Sequence, residues 1–200
     1  MVGGSGADTI NGVSGPNVLN GGDILNAANN GADTINGGRG TDLLVFDPLD
    51  TLNGNAGFDI VRVDAGAIYN TMTAEALTLP AGLTSATVDM RNAKISNVES
   101  ILITEENAAS GAVGTKLILN ASDVIDFTDS SKDADNVEAD TLYIIGSKGD
   151  SLELHLDAGV TIGSQLLIND MARGMTFTQY NLSNGGHLVV DTDVTVTAVP

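Results

Sequence analysis

Two stretches of the chain set an aspartate among glycines at one fixed spacing. Gly37-Gly38-Arg39-Gly40-Thr41-Asp42-Leu43-Leu44-Val45 and Gly3-Gly4-Ser5-Gly6-Ala7-Asp8-Thr9-Ile10-Asn11 both read Gly-Gly-x-Gly-x-Asp-x-apolar-x. Six residues of the unit suit a turn and three suit a strand. Glycine tolerates positive φ, so the backbone can bend tightly and aim carbonyl oxygens inward. The aspartate adds a hard anionic oxygen beside them. Hard oxygens on a flexible ring suit calcium, whereas magnesium demands a stricter octahedron. The apolar residue two places after the aspartate points away from the turn and into a narrow core.

Weaker copies fill residues 3–61. A carboxylate or its amide followed by x-apolar occurs at Asp8, Asn17, Asp23, Asp33, Asp42, Asp50 and Asp59, with Ile10, Leu19, Leu25, Ile35, Leu44, Leu52 and Val61 behind them. The step is nine residues from 8 to 17 and from 33 to 42, and irregular at 23 and 50. Gly12-Val13-Ser14-Gly15-Pro16-Asn17 keeps the turn but has lost its charge. Asp23 and Asn26 both continue the register. Gly54-Asn55-Ala56-Gly57-Phe58-Asp59 is a degraded turn of the same type. Asp42 and Asp59 are almost one coil apart and are expected to be neighbours. The Asn-Gly pairs at 11, 20, 36 and 53 are also compatible with plain metal-free turns. Such turns would have no need of the recurring aspartate.

The nine-residue unit is similar to the calcium-binding nonapeptide repeat of RTX proteins. The resemblance implies an all-β fold: a parallel β-roll, or β-solenoid, with calcium in the turns. It implies that two units make one coil, with equivalent turns about 18 residues apart and stacked at about 4.8 Å. The metal-ligating turns would include Gly3, Gly4, Gly6, Asp8, Asn17, Asp23, Asp33, Gly37, Gly38, Gly40, Asp42, Asp50, Gly57 and Asp59.

Charge agrees with a cation partner. The chain has 8 basic and 26 acidic side chains, a net of −18. That argues against nucleic acid and against anionic membrane surfaces. A hydrophobic content of 42% is too high for a solvated acidic tail. Aspartates stacked about 5 Å apart repel by about 0.8 kcal/mol per pair in water, and several-fold more when half-buried. The ion-free chain is therefore expected to be unstable. There is no cysteine, which excludes disulfides and thiolate metal sites. Met1-Val2-Gly3 opens almost inside a repeat, so Met1 is expected to be an added start. The sequence shows no amino-terminal secretory signal and no long apolar run.

Beyond residue 63 the nonapeptide fades. Thr73–Leu79 reads as a short helix or loop ended by Pro80. Strands are expected at Ala86–Met90, Lys94–Thr104, Lys116–Leu119, Thr141–Ile145, Ser151–Leu156, Gln165–Ile168, Met175–Tyr180, His187–Val190 and Asp193–Val199. Asn120-Ala121-Ser122-Asp123 reads as a helix start, and Asn184-Gly185-Gly186 as a hairpin turn.

Other candidate chemistry is weak. Glu153 and His155 share a strand face, which reads as solvent-facing surface rather than a metal pair. His187 reads the same way. Asp123 suits a helix first turn, and Asp126 calcium or solvent. Asp129, Asp133 and Asp135 form an acidic loop that could take a further cation. No nucleophile elbow, phosphate loop, zinc helix or basic patch is present. No enzymatic activity is expected of this segment.

The later region resembles the carboxyl-terminal part of large RTX adhesins exported by type I secretion. The resemblance rests on Ser96-Asn97-Val98-Glu99-Ser100-Ile101, on residues 117–126, on Gly149-Asp150-Ser151-Leu152-Glu153-Leu154 and on residues 188–194. It implies a roll over residues 1–63, then a β-rich capping region over residues 64–200 with an uncleaved export signal near its end. It also implies transient contact with the type I secretion machinery, upstream adhesin repeats on the same chain, and an extracellular or bacterial cell-surface location in contact with a biofilm matrix. RTX rolls also follow secreted enzymes, and a calcium-dependent surface-layer subunit is a third reading.

Overall fold

The computed structural model describes residues 1–22, 31–64, 86–104, 114–128, 139–171 and 174–200. Asp23, Asn26, the 73–80 segment and the acidic loop at 129–135 lie outside the described residues.

The fold is all-β, a parallel solenoid. Its strands are β1 (Thr9–Asn11), β2 (Val18–Leu19), β3 (Thr34–Arg39), β4 (Leu43–Val45), β5 (Thr51–Ala56), β6 (Ile60–Asp64), β7 (Ala86–Asp89), β8 (Lys94–Ser96), β9 (Ser100–Thr104) and β10 (Thr115–Asn120). After a helix α1 (Asp123–Phe127) come β11 (Thr141–Ile145), β12 (Ser151–His155), β13 (Ile162–Asp170), β14 (Met175–Leu182), β15 (His187–Asp191) and β16 (Thr195–Val199). Successive strands do not pair with one another through most of the chain. Each pairs in parallel with its equivalent one coil later.

Three sheets result. The first runs β1-β3-β5-β8, and α1 packs against β8 beyond it. The second runs β2-β4-β6-β9-β11-β15 and ends in the antiparallel pair β14-β13. It therefore carries strands from both sides of residue 63 without a break. The third, β7-β10-β12-β16, gives the coils a further side from β7 onward.

The core is built from files of aliphatic side chains, one residue per coil. Ile10, Ile35, Leu52 and Ile95 stack in the first sheet. Leu19, Leu44, Val61, Ile101, Ile144 and Val190 stack in the second. Val88, Leu117, Leu152 and Val196 stack in the third. Most of these are fully buried. The inward position two after each corner carboxylate follows from strand alternation, since Asp42 ends the turn and Leu44 is the second strand residue.

Coil length differs from the expected 18. Thr34 pairs with Thr51 and Leu43 with Ile60, a repeat of 17. The short half is the corner Asp47-Pro48-Leu49-Asp50. There Leu49 N–H donates to Asp47 Oδ1 at 2.9 Å and Asp50 N–H to Asp47 O at 3.1 Å, a tight aspartate-proline turn. The first coil is longer, with Thr9 opposite Thr34 and Val18 opposite Leu43, because extra residues intervene between β2 and β3.

Residues 94–104 form two strands, not one. Asn97 has φ 52°, a left-handed residue that breaks the strand and turns a corner between β8 and β9. The helix start also differs from expectation. Ser122 is already helical and makes no side-chain cap. Instead the Asp123 carboxylate accepts Asn120 N–H at 2.6 Å.

Leu44 lies between Leu19 and Val61 and is inaccessible. Leu44→Ala should cost about 2–5 kcal/mol, read by denaturant unfolding in saturating calcium. A loss under about 0.5 kcal/mol would mean that this file does not carry the core.

Candidate metal centre

The corner between the first and second sheets is where the glycine turns stack. Its turns are 12–17, 37–42 and 54–59, followed by the glycine-free corner at Asn97–Glu99. In the best-formed turn Gly38 and Gly40 have φ near +125° (124° and 126°), a conformation open to glycine at little cost. Gly37 has a different constraint. A Cβ there would stand 2.5 Å from Gly54 O and 2.8 Å from Asp42 Oδ2. Two oxygens from two coils thus close over one glycine. Gly3 meets Gly21 O and Asp8 Oδ2 in the same way, and Gly54 meets Asn97 O and Asp59 Oδ2.

The carboxylates form a ladder along this corner. Asn17 N–H donates to Asp42 Oδ1 at 2.7 Å, Asp42 N–H to Asp59 Oδ1 at 2.8 Å, and Asp59 N–H to Glu99 Oε2 at 2.6 Å. The opposite corner repeats the pattern. Asp8 N–H donates to Asp33 Oδ1 at 2.7 Å and Asp33 N–H to Asp50 Oδ1 at 2.9 Å. Asp33, Asp42, Asp50, Asp59 and Glu99 are all at least 95% buried. Each carboxylate therefore holds the preceding coil in register with one oxygen.

The second oxygen of Asp42 is the informative one. Oδ2 is buried and receives no hydrogen bond. An uncompensated carboxylate oxygen in the interior costs several kcal/mol, so native structures supply a donor or a cation there. The atoms around it are carboxylate and main-chain carbonyl oxygens, which cannot donate a hydrogen bond but form a hard ligand set that fits calcium. Both histidines, His155 and His187, lie far along the chain from the repeats. Among the described residues no group of three or more His, Cys, Asp or Glu side chains converges as a metal site. That follows from the turn's design: each turn contributes a single carboxylate, and its remaining oxygens are backbone.

The sequence-derived set is distributed as follows. Gly37, Gly38, Gly40, Asp42, Gly57 and Asp59 gather on adjacent coils of one corner, with Asn17 one coil before them. Gly3, Gly4, Gly6 and Asp8 form the first turn of the opposite corner, where Gly4 N–H donates to Asp8 Oδ2 at 2.7 Å. Asp33 and Asp50 follow on that corner. A Cβ on Gly21 would run into Asp33 Oδ2 and lie 3.3 Å from Asp50 Oδ2. The turn opened by Gly21 is thus completed by Asp33, across the intervening segment.

Three acidic residues outside that set belong to the same construction. Glu99 extends the ladder. It precedes x-apolar (Ile101), and only the missing glycines hid it. Asp150 accepts Thr115 N–H at 2.7 Å through Oδ1, and Ser147 N–H at 2.7 Å and Ser147 Oγ–H at 3.2 Å through Oδ2. Asp157 accepts Ser122 N–H at 2.7 Å. These carboxylates are served by the chain's own donors.

The remaining candidates are surface or structural groups. Glu153 bridges Lys116 Nζ at 2.5 Å and His155 Nε2 at 2.7 Å on the third sheet, and this pairing lowers its pKa. His187 Nδ1 lies 2.7 Å from Asn181 Oδ1. Asp123 is buried in the first turn of α1, and this burial raises its pKa from 3.8 to about 6, with Asp126 and Asp157 adding repulsion.

The family model described as the RTX calcium-binding nonapeptide repeat (4 copies) matches residues 2–23, 27–47 and 50–67. The chain thus carries calcium-binding RTX repeats over less than a third of its length. No curated protein matches the chain. No solved structure matches it either.

Two tests follow. Gly37→Ala forces two oxygens apart and should raise the calcium concentration for half-folding by about tenfold, given about 1–3 kcal/mol for overpacking; an unchanged midpoint would remove Gly37 from the site. Asp123 has a raised folded pKa, so its stabilising contribution is complete below pH 3.8 and is lost as pH rises through about 6. Asp123→Asn should therefore gain stability on wild type between pH 4 and 7 in parallel denaturation series. A pH-independent difference would mean that Asp123 does not titrate in that window.

Proposed function

We propose that this chain is a non-enzymatic, calcium-folded module of an exported bacterial adhesin. The observation that carries the reading is the donorless, buried Asp42 Oδ2 inside a glycine turn of the calcium-binding repeat type. Asp42 and Asp59, with the backbone carbonyls of turns 37–42 and 54–59, would hold the ion at one corner. Asp8, Asp33 and Asp50 would do so at the other. Calcium, when bound, supplies positive charge between the stacked carboxylates.

Without that charge the ladder of Asp42, Asp59 and Glu99 opposes its own stacking, and the coils stay open. Inside a cell, where free calcium is scarce, the chain would remain loose enough to be threaded out. Outside, calcium at about 10⁻⁴–10⁻³ M is sufficient for sites of the extracellular kind. Coil closure then draws its free energy from metal binding, as in domains with no preformed site. A folded tail would not slide back.

Residues 64–200 have a second role in this reading. β8 and β9 continue the two roll sheets directly from β5 and β6. They cover the apolar end that a bare roll would expose, and so cap it. The final ~60–80 residues would carry the type I export signal, and the parent protein would use the module at the cell surface or in a biofilm matrix.

The deciding experiment is far-ultraviolet circular dichroism of the purified chain during calcium titration after chelation. The expected result is a largely open chain in EDTA and a β-rich spectrum at millimolar calcium. A spectrum equally ordered in EDTA would end the proposal.

A further inference from the structure

The turn that begins the first-to-second-sheet corner is wired differently from those after it. Asn17, Asp42 and Asp59 occupy equivalent places, each immediately before its strand of the second sheet. Asp42 presents an oxygen with no donor. Asn17 presents a nitrogen with a surplus of acceptors. Its Nδ2 lies 2.9 Å from Val13 O, 2.6 Å from Gly15 O and 2.8 Å from Asp42 Oδ1.

Those three oxygens come from two stacked turns, and an ion between the turns would need the same atoms. Val13 and Gly15 are the counterparts of Gly38 and Gly40 in the next coil, by the register that sets Val18 opposite Leu43. The structure places Nδ2, a donor, among the three oxygens, whereas Oδ1 in that position would leave an all-oxygen cluster that calls for a cation. The backbone N–H of Asn17 reaches the same Asp42 Oδ1, so one carboxylate oxygen receives two donors from a single residue.

We propose that the Asn17 side-chain amide takes the place of a calcium ion between turns 12–17 and 37–42. Asn17 is then a clasp and not a ligand. It closes the first turn onto the second through hydrogen bonds alone, and it makes the ion column of this corner begin at Asp42. The substitution is self-consistent in charge. A neutral amide donor faces one carboxylate, whereas two facing carboxylates would require a cation. This inference rests on the calcium reading for the rest of the corner, but it is tested separately.

The test is the number of calcium ions bound at saturation, counted by native mass spectrometry on folded wild-type, Asn17→Ala and Asn17→Asp protein. The clasp predicts an unchanged count for Asn17→Ala and one additional ion for Asn17→Asp. One ion fewer in Asn17→Ala, or no gain in Asn17→Asp, would overturn it. If either variant fails to fold, wild-type protein still decides the question. In calcium-saturated nuclear magnetic resonance spectra the Asn17 Nδ2 protons should be protected from solvent exchange, and free exchange would show that the amide does not occupy the corner. A wild type that binds no calcium at all would instead defeat the reading of the whole corner, a distinct outcome.

Discussion

Like charges stacked one above another at strand spacing are the constraint on which this molecule depends. A parallel solenoid repeats every residue at every coil, so a carboxylate at one corner becomes a column of carboxylates. Asp42, Asp59 and Glu99 form such a column, and Asp33 and Asp50 form another. Main-chain N–H groups satisfy one oxygen of each rung. That fixes register but adds no net charge. A column of this kind persists when something positive or hydrogen-donating occupies the space between rungs, and the chain contains examples of both demands.

The rest of the architecture accommodates that column. Gly37 and Gly54 have no side chain because carbonyl and carboxylate oxygens stand where a Cβ would be. The aliphatic files place one residue per coil behind each corner, so burial accumulates with coil number rather than within any one coil. No single coil buries enough apolar surface to stand alone, and neighbours supply the missing face. Later coils use chain donors where Asp42 leaves an oxygen open. Ser147 saturates Asp150, and Ser122 serves Asp157. Asn17 does the equivalent at the start of its corner.

The glycine spacing and the aspartate-x-apolar rule over residues 3–61 carried the resemblance to the RTX repeat, and that resemblance implied the parallel roll. The spacing made Asp42 and Asp59 neighbours on one corner, and in the structure Asp42 N–H donates to Asp59 Oδ1. The 17-residue coil was signalled by the irregular step at Asp50, but the resemblance implied about 18, and the aspartate-proline corner at 47–50 is the structural reason for the shorter half-coil. The corner at Asn97 was hidden for a different reason. Residues 94–104 are rich in β-branched residues and partly alternating, and a lone asparagine at positive φ is a weak signal among them. Glu99, Asp150 and Asp157 escaped notice as members of the carboxylate system because no paired glycines flank them. The Asn17 geometry could not have been read at all. Its chemistry lies in which amide atom faces which carbonyl, and that depends on a turn 25 residues away.

The central claim concerns the space between Asp42 and Asp59. Anomalous X-ray diffraction from crystals grown with calcium tests it most directly. The account predicts an anomalous peak between turns 37–42 and 54–59, within bonding distance of a carboxylate oxygen and main-chain carbonyls. Ordered coils with no anomalous peak at that corner, and Asp42 Oδ2 met only by water or a protein donor, would contradict it.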